Sequence, residues 1–336
     1  VNSIARGRDR EIAEIVNAKR AAFVVRMLLG DVDRFEEITE DEFREWPRKK
    51  LKRQRDVVRR KLAGEIKKFC QMYFRDLTEQ KLSNLYTELM KPPFRLRMPL
   101  LEFRSRYGTP NGGVLRGAPL HSTVCISHWG LQTEYPEMHL CHDLAEAVNQ
   151  LLDTHQDELI RIESYGNSWS QAKRDRSQLA ALQRRSKFNS RMALIASFNL
   201  VEAYLNGIAW EWLHTVEENR LSENHRMLLA EDPRPVSLIE KLKQFPKIIK
   251  GASEGPLHDS RDPLRSFIEM AKPFRDAIVH ASPFSAPKRF GGYDKLDKIY
   301  SLTTETALRG VDLSLSVIGS IHQFLDGDGD MPPWFL

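Results

Sequence analysis

Residues 184–216 run without a proline, and Leu194, Phe198, Val201, Leu205, Ile208 and Trp212 recur there at steps of three and four. That period marks one face of an α-helix. A helix of this length needs other helices to cover its apolar face, so the last 150 or so residues read as a helical bundle. Further helices are expected over residues 235–249, 263–280 and 295–325, the last carrying Leu302, Leu308, Leu313, Val317, Ile321 and Phe324. Pro273 should kink the third of these or start a new turn, because it has no N–H and its ring crowds the preceding turn. A turn starting there would bring Arg275 close to unpaired backbone N–H groups, which favour an anion.

The first ninety residues read the same way. Ile12, Ile15, Val16, Phe23, Met27 and Leu28 recur at helical spacing, and Gly30 is a natural stop. Thr39 with Glu42 has the form of a capping box. After Pro47 a long helix is expected, with Leu51, Val58, Leu62, Ile66, Phe69 and Tyr73 on its apolar side. From 91 to 137 the texture changes. Pro92, Pro93, Pro99, Pro110, Gly112, Gly113, Gly117 and Pro119 break any long helix, and runs such as 122–126 suit short strands. Helical pattern returns near Leu140. The expected fold is mainly α, divided into an N-terminal helical region with a basic helix (1–92), an irregular or small β insertion (93–139), a connecting helix (140–184), a helical bundle (185–325) and a tail (326–336).

A chain of 336 residues is long enough for about two domains. Its net charge of +5 permits an acidic partner such as RNA without requiring one. Three cysteines, Cys70, Cys125 and Cys141, are too few and odd in number for a secreted disulfide framework, which points to a reducing compartment. The N-terminal residues lack the apolar core of a signal peptide. The most apolar stretch, 192–213, is interrupted by Asn199, Glu202, Asn206 and Glu211, a poor membrane span. A cytoplasmic location with no membrane partner is expected. There is no phosphate-binding P-loop, no GxGxxG after a strand and no GxSxG, so the chemistries those motifs serve have no sequence support.

The stretch Phe274-Arg275-Asp276-Ala277-Ile278-Val279-His280 carries the most chemical information. Arginine is always cationic and grips phosphate with two prongs. Histidine exchanges a proton near neutral pH. Together they suit phosphodiester cleavage with no metal or other cofactor. The same spacing occurs at Arg116–His121, among loop residues, and at Arg220–His225, in a polar stretch. Only the third pair has a helical stripe, Phe267, Ala271, Phe274 and Ile278, running through it. In the long helix a second row holds Ile195, Asn199, Glu202, Asn206 and Trp210. Small residues beside it, Ala196, Ala203 and Gly207, would admit another helix. The row is either the wet edge of the helix or an inward polar line, in which case Glu202 needs a partner, Arg275 being one candidate.

Over about residues 185–325 these features resemble the HEPN superfamily (higher eukaryotes and prokaryotes nucleotide-binding), helical bundles with an Arg-x4-6-His motif and a polar residue after the arginine. Here the motif is Arg275 to His280, with Asp276 at the place most often held by asparagine. The segment Ser197-Phe198-Asn199-Leu200-Val201-Glu202 is similar to the family's first long helix, which often carries an acidic residue. The resemblance implies a metal-independent endoribonuclease, frequently a toxin or antiviral effector. Its 2′-hydroxyl attack would be assisted by His280 as general base or acid and by Arg275 as charge stabiliser, with Asp276 and Glu202 as orienting groups. It implies RNA as substrate, a homodimer with two facing motifs, and an antitoxin or defence-system partner. A non-catalytic nucleotide- or protein-binding module of the same architecture is the alternative.

Other clusters offer competing readings. Residues 48–68 hold eleven cations, opposed only by Asp56 and Glu65, which is either a solvated face or a track for a nucleic-acid backbone. A second basic group is Lys173, Arg174, Arg176, Arg184, Arg185 and Lys187. Cys125, His128, His139, Cys141 and His142 fall at spacings workable for zinc, which would make the chain a zinc-stabilised nucleic-acid-binding protein. The acidic run 326–330 lacks the remainder of a calcium loop and reads as tail.

Overall fold

The computed structural model describes the chain apart from residues 1, 33–37, 73–95, 108–117, 128–129, 166–174, 217–220, 281–293, 328–330, 333–334 and 336. The fold is mainly α, with one small sheet among the described residues, and it divides into two compact units, Val1–Tyr135 and Pro136–Leu336. The division falls slightly before the expected end of the insertion. Pro136 opens a helix there, where its missing N–H costs nothing and its fixed φ favours the first turn.

In the first unit α1 (Asn2–Leu29) packs along α3 (Arg48–Met72), with the short α2 (Asp41–Arg44) between them in sequence. Ile12, Ile15, Val16, Val24 and Val25 share a core with Leu51, Val58, Leu62, Ile66 and Phe69. Those five positions of α3 lie within a narrow arc of the helix, so its other side is left to solvent. At Gly30 the backbone turns left-handed (φ 79°) and its N–H donates to Met27 O at 3.0 Å. The expected Thr39–Glu42 capping box does not form. Glu40 is the residue at the start of α2, without a side-chain cap, and the Glu42 carboxylate instead accepts from Lys19 Nζ at 3.1 Å. A charge-assisted bond takes the carboxylate away from a neutral backbone donor.

The insertion supplies an antiparallel sheet, β1 (Leu96–Pro99), β2 (Thr123–Ser127) and β3 (Gly130–Glu134), in that spatial order, with α4 (Leu100–Tyr107) after β1. Met98 pairs Val124, and Val124 pairs Thr133. Leu100, Phe103 and Val124 enter the core of α1 and α3, so the insertion completes the first unit.

In the second unit α5 (Pro136–Tyr165) and α6 (Arg176–Thr215) form the longest pair. Helix α6 starts eight residues before the expected position. It is followed by α7 (Glu223–Ala230) and α8 (Leu238–Lys250), each capped by a serine, Ser222 and Ser237, and each closed by a left-handed residue, Glu231 and Gly251. Helix α9 is continuous from Leu264–Ser266 through a π turn, Phe267–Ala271, into Lys272–Val279. The segment expected as one final helix is two, α10 (Asp294–Ser301) and α11 (Thr304–Asp326). Leu302 is drawn into the core between them, and the Thr303 hydroxyl caps the second by accepting from Thr306 N at 3.2 Å.

The core of this unit gathers Leu194, Phe198, Val201 and Leu205 of α6 with Phe245, Phe267, Val317 and Ile321. Helices α6 and α11 approach closely along small residues. Ser314 Oγ donates to Ser197 Oγ at 3.1 Å, and a Cβ on Gly310 would sit 2.5 Å from Leu194 Cδ1. Helix α6 is long and apolar enough to cross a membrane, but 56% of its apolar window is buried inside this unit, where it serves as core.

Candidate active site

The π turn decides how Arg275 is presented. Pro273 would leave one carbonyl of an ordinary α-helix without a donor and press its ring against that turn. Widening to i→i+5 bonding, with Lys272 N donating to Phe267 O, lets the helix pass the proline without stopping. The expected kink or fresh start is therefore replaced by a bulge. The expectation that Arg275 lies beside a free helix N-terminus fails for the same reason, because the backbone continues through it.

Arg275 is three-quarters buried. Its Nη1 donates to Asp276 Oδ1 at 3.0 Å, and its Cζ lies 5.9 Å from the centre of the Phe198 ring on α6. Phe198 is itself stacked on Phe267 at 4.6 Å, so the face beneath the guanidinium is fixed by the core. Asp276 also accepts from Lys272 Nζ, one helical turn back. Partial burial pushes the Asp276 carboxyl up, but the hydrogen bonds from Lys272 and Arg275 outweigh it and hold the group below the usual carboxylate range.

His280 ends α9. Its N–H donates to Asp276 O at 2.9 Å and its carbonyl accepts from Lys295 Nζ of α10 at 2.8 Å. The imidazole is exposed and makes no hydrogen bond among the described residues. Lys298 Nζ lies 5.1 Å over the Phe274 ring, so Lys295 and Lys298 of α10 stand beside α9, with Asp297 exposed between them in sequence, while Lys272 and Arg275 both bond Asp276. A guanidinium can hold a phosphate and an imidazole can exchange a proton, so Arg275 and His280 are the two groups along this helix with the chemistry for phosphodiester cleavage.

Glu202 does not join Arg275. It accepts from Lys241 Nζ of α8 at 3.3 Å, and Asn206 Oδ1 accepts from the same ammonium at 2.9 Å. Glu231 completes the set as a third acceptor. Lys241 is 1% exposed, so this is where the polar row of α6 spends its charge, while Asn199 faces solvent. Sequence reasoning missed Lys241. The available signal was its place in step with Leu238, Phe245 and Ile248, a lysine on an apolar face.

The remaining candidates scatter. Arg116 and Arg220 lie outside the described residues, and His121 and His225 are on separate units. Cys125 is buried on β2, His139 and His142 are exposed and Cys141 is buried on α5, and His128 is outside the described residues. No three metal-ligating side chains gather among the described residues. In the second basic group Lys187 donates to Tyr300 O and to Leu302 O at 3.3 Å, fastening the end of α10, while Lys173 and Arg174 are outside the described residues. In the acidic tail Asp326 pairs with His322 Nδ1 at 3.0 Å, and 328–330 are outside the described residues. A groove of about 470 Å³ between α5 and α6, lined by Arg161, Gln178 and Arg185 among others, contains neither Arg275 nor His280. No family model matches the chain, and neither a curated protein nor a solved structure matches it.

Proposed function

We propose that Pro136–Leu336 is a metal-independent RNA-cleaving module of the HEPN type. The observation that carries this reading is a guanidinium seated on Phe198 and, five residues on along the same helix, an exposed imidazole. An RNA 2′-oxygen attacks the adjacent phosphorus, the P–O5′ bond breaks, and the products are a 2′,3′-cyclic phosphate and a 5′-hydroxyl. His280 takes the proton from the 2′-hydroxyl or gives one to the leaving oxygen, a role worth about 10²–10⁴ in rate. Arg275 neutralises the phosphorane oxygens, worth about 10²–10³. Asp276 holds Arg275 in place. One histidine serves one of the two proton transfers, so a second copy of the chain supplies the other across a homodimer. The enzyme would act in the cytoplasm as a toxin or defence effector, held in check by a partner protein.

The contact between Arg275 and Asp276 favours a second reading, a binding module in which this pair is only structural. One experiment separates them. Purified protein in excess EDTA should cut single-stranded RNA and leave 2′,3′-cyclic phosphate ends, and Arg275→Ala and His280→Ala should each abolish cutting with the helical circular dichroism unchanged. Undiminished cutting by both variants, or no cutting by the parent dimer, sinks the nuclease reading.

A further inference from the structure

Helix α3 holds an unequal share of the charge. The chain has 51 cations and 46 carboxylates, and 48–68 has eleven cations and two carboxylates. The rest therefore has forty cations against forty-four carboxylates, so the excess positive charge of this protein resides in one helix.

The structure orders that charge. The face of α3 bearing Leu51, Val58, Leu62, Ile66 and Phe69 is buried in the first unit. Four cations have carboxylate partners, Arg48 with Glu11, Arg55 and Arg59 with Glu14, and Lys68 with Glu65. Lys49, Arg53, Arg60 and Lys67 are exposed on the outward side, with no carboxylate partner among the described residues. At 1.5 Å per residue this row is about 27 Å long. Lys52 and Lys61 flank it, both exposed. Lys50 Nζ lies 3.6 Å over the Trp46 ring at its N-terminal end. The acidic residue on this side is Asp56.

We infer that this face of α3 is a binding surface for the phosphodiester backbone of nucleic acid, separate from the Arg275 site and not resting on the nuclease reading. A linear row of unpaired cations suits a linear polyanion. A membrane surface fits less well, because the apolar side of α3 is sealed in the core and Val57 is its large exposed hydrophobic residue. No aromatic residue lies between Lys49 and Lys67 to stack on bases, so binding is sequence-independent and accepts single strands and duplexes.

The test uses the full chain and three probes, 2′-O-methyl single-stranded RNA, single-stranded DNA and duplex DNA, none of which can be cut by 2′-hydroxyl attack. With four phosphate contacts, raising monovalent salt from about 50 to about 200 mM should weaken binding about 100-fold. Changing Lys49, Arg53, Arg60 and Lys67 together to Glu should reduce affinity by at least about 100-fold at low salt, with the melting profile retained. The control changes four exposed cations of the second unit, Arg176, Arg184, Arg234 and Arg261, to Glu, which alters net charge equally. Equal loss in the two variants, binding unaffected by salt, or capture only by anionic phospholipid vesicles overturns the proposal.

Discussion

Lys241 of α8 donates to Glu202 of α6 across 3.3 Å, from a position only 1% exposed to water. Asn206 and Glu231 complete its shell. The two carboxylates retain access to solvent and the ammonium does not, so the partners are not equivalent. Lys241→Met removes the buried charge and lets both carboxylates rehydrate, so it should cost less than leaving the ammonium without partners. The double variant Glu202→Gln with Glu231→Gln strands the ammonium and should cost about 3–5 kcal/mol. Urea titration of the second unit checks the order, and a costlier Lys241→Met would refute this account of the network.

Replacing Arg275 by Lys keeps the charge and removes the planar fork. If the guanidinium grips a phosphorane, single-turnover RNA cleavage should fall by about 10²-fold. Binding of a non-cleavable RNA should change far less, because ground-state contact with phosphate needs only charge. Unchanged cleavage would exclude the role assigned to Arg275.

Asp276 makes an acid-linked contribution to stability. Its carboxyl is held below the ordinary range, so folded Asp276 loses its proton at lower pH than the unfolded chain, where the value is about 3.9. The stabilisation is complete above about pH 4 and is lost as pH falls through the folded value. Asp276→Asn should therefore lower the melting temperature at neutral pH, and the gap from the parent should close on acidification below about pH 4. A gap that stays constant down to the acid limit would show that the carboxylate charge is not what Lys272 and Arg275 stabilise.

Two glycines should respond oppositely to alanine. Gly64 lies inside α3, and a Cβ there meets nothing within 4 Å. Gly64→Ala should stabilise the first unit by about 0.5–1 kcal/mol through helix propensity. Gly310 lies where α11 touches α6, and a Cβ there meets buried Leu194. Gly310→Ala should cost about 1–3 kcal/mol in repacking, outweighing the same propensity gain of about 1 kcal/mol. Thermal melts of both variants measure the signs directly.

The faces of the long helices were legible because periodicity reports which residues share a side, whereas the short helices α4 and α7 were not expected. The stripe from Leu194 to Trp212 and the five core positions of α3 were visible in this way. Periodicity does not report what a polar row faces, so the partner of Glu202 was open between Arg275 and solvent until Lys241 was located. The break at Leu302 and Thr303 was hidden because the apolar period continues across it. The Gly310 contact depends on two helices distant in sequence, which no local pattern encodes. At the candidate site, the Arg-x4-His spacing occurs three times, and the apolar stripe Phe267, Ala271, Phe274 and Ile278 is what singles out Arg275, Asp276 and His280. The aromatic seat beneath the guanidinium required the fold.

The bulge at Phe267–Ala271 sets a phase. Every residue advances a helix by about 100°, so one additional residue in a turn rotates all that follows by that angle. Shortening this turn by one residue would leave Pro273 without room and swing the guanidinium off the Phe198 ring. The direction in which Arg275 points is thus a matter of chain count within a single turn as well as of side-chain identity.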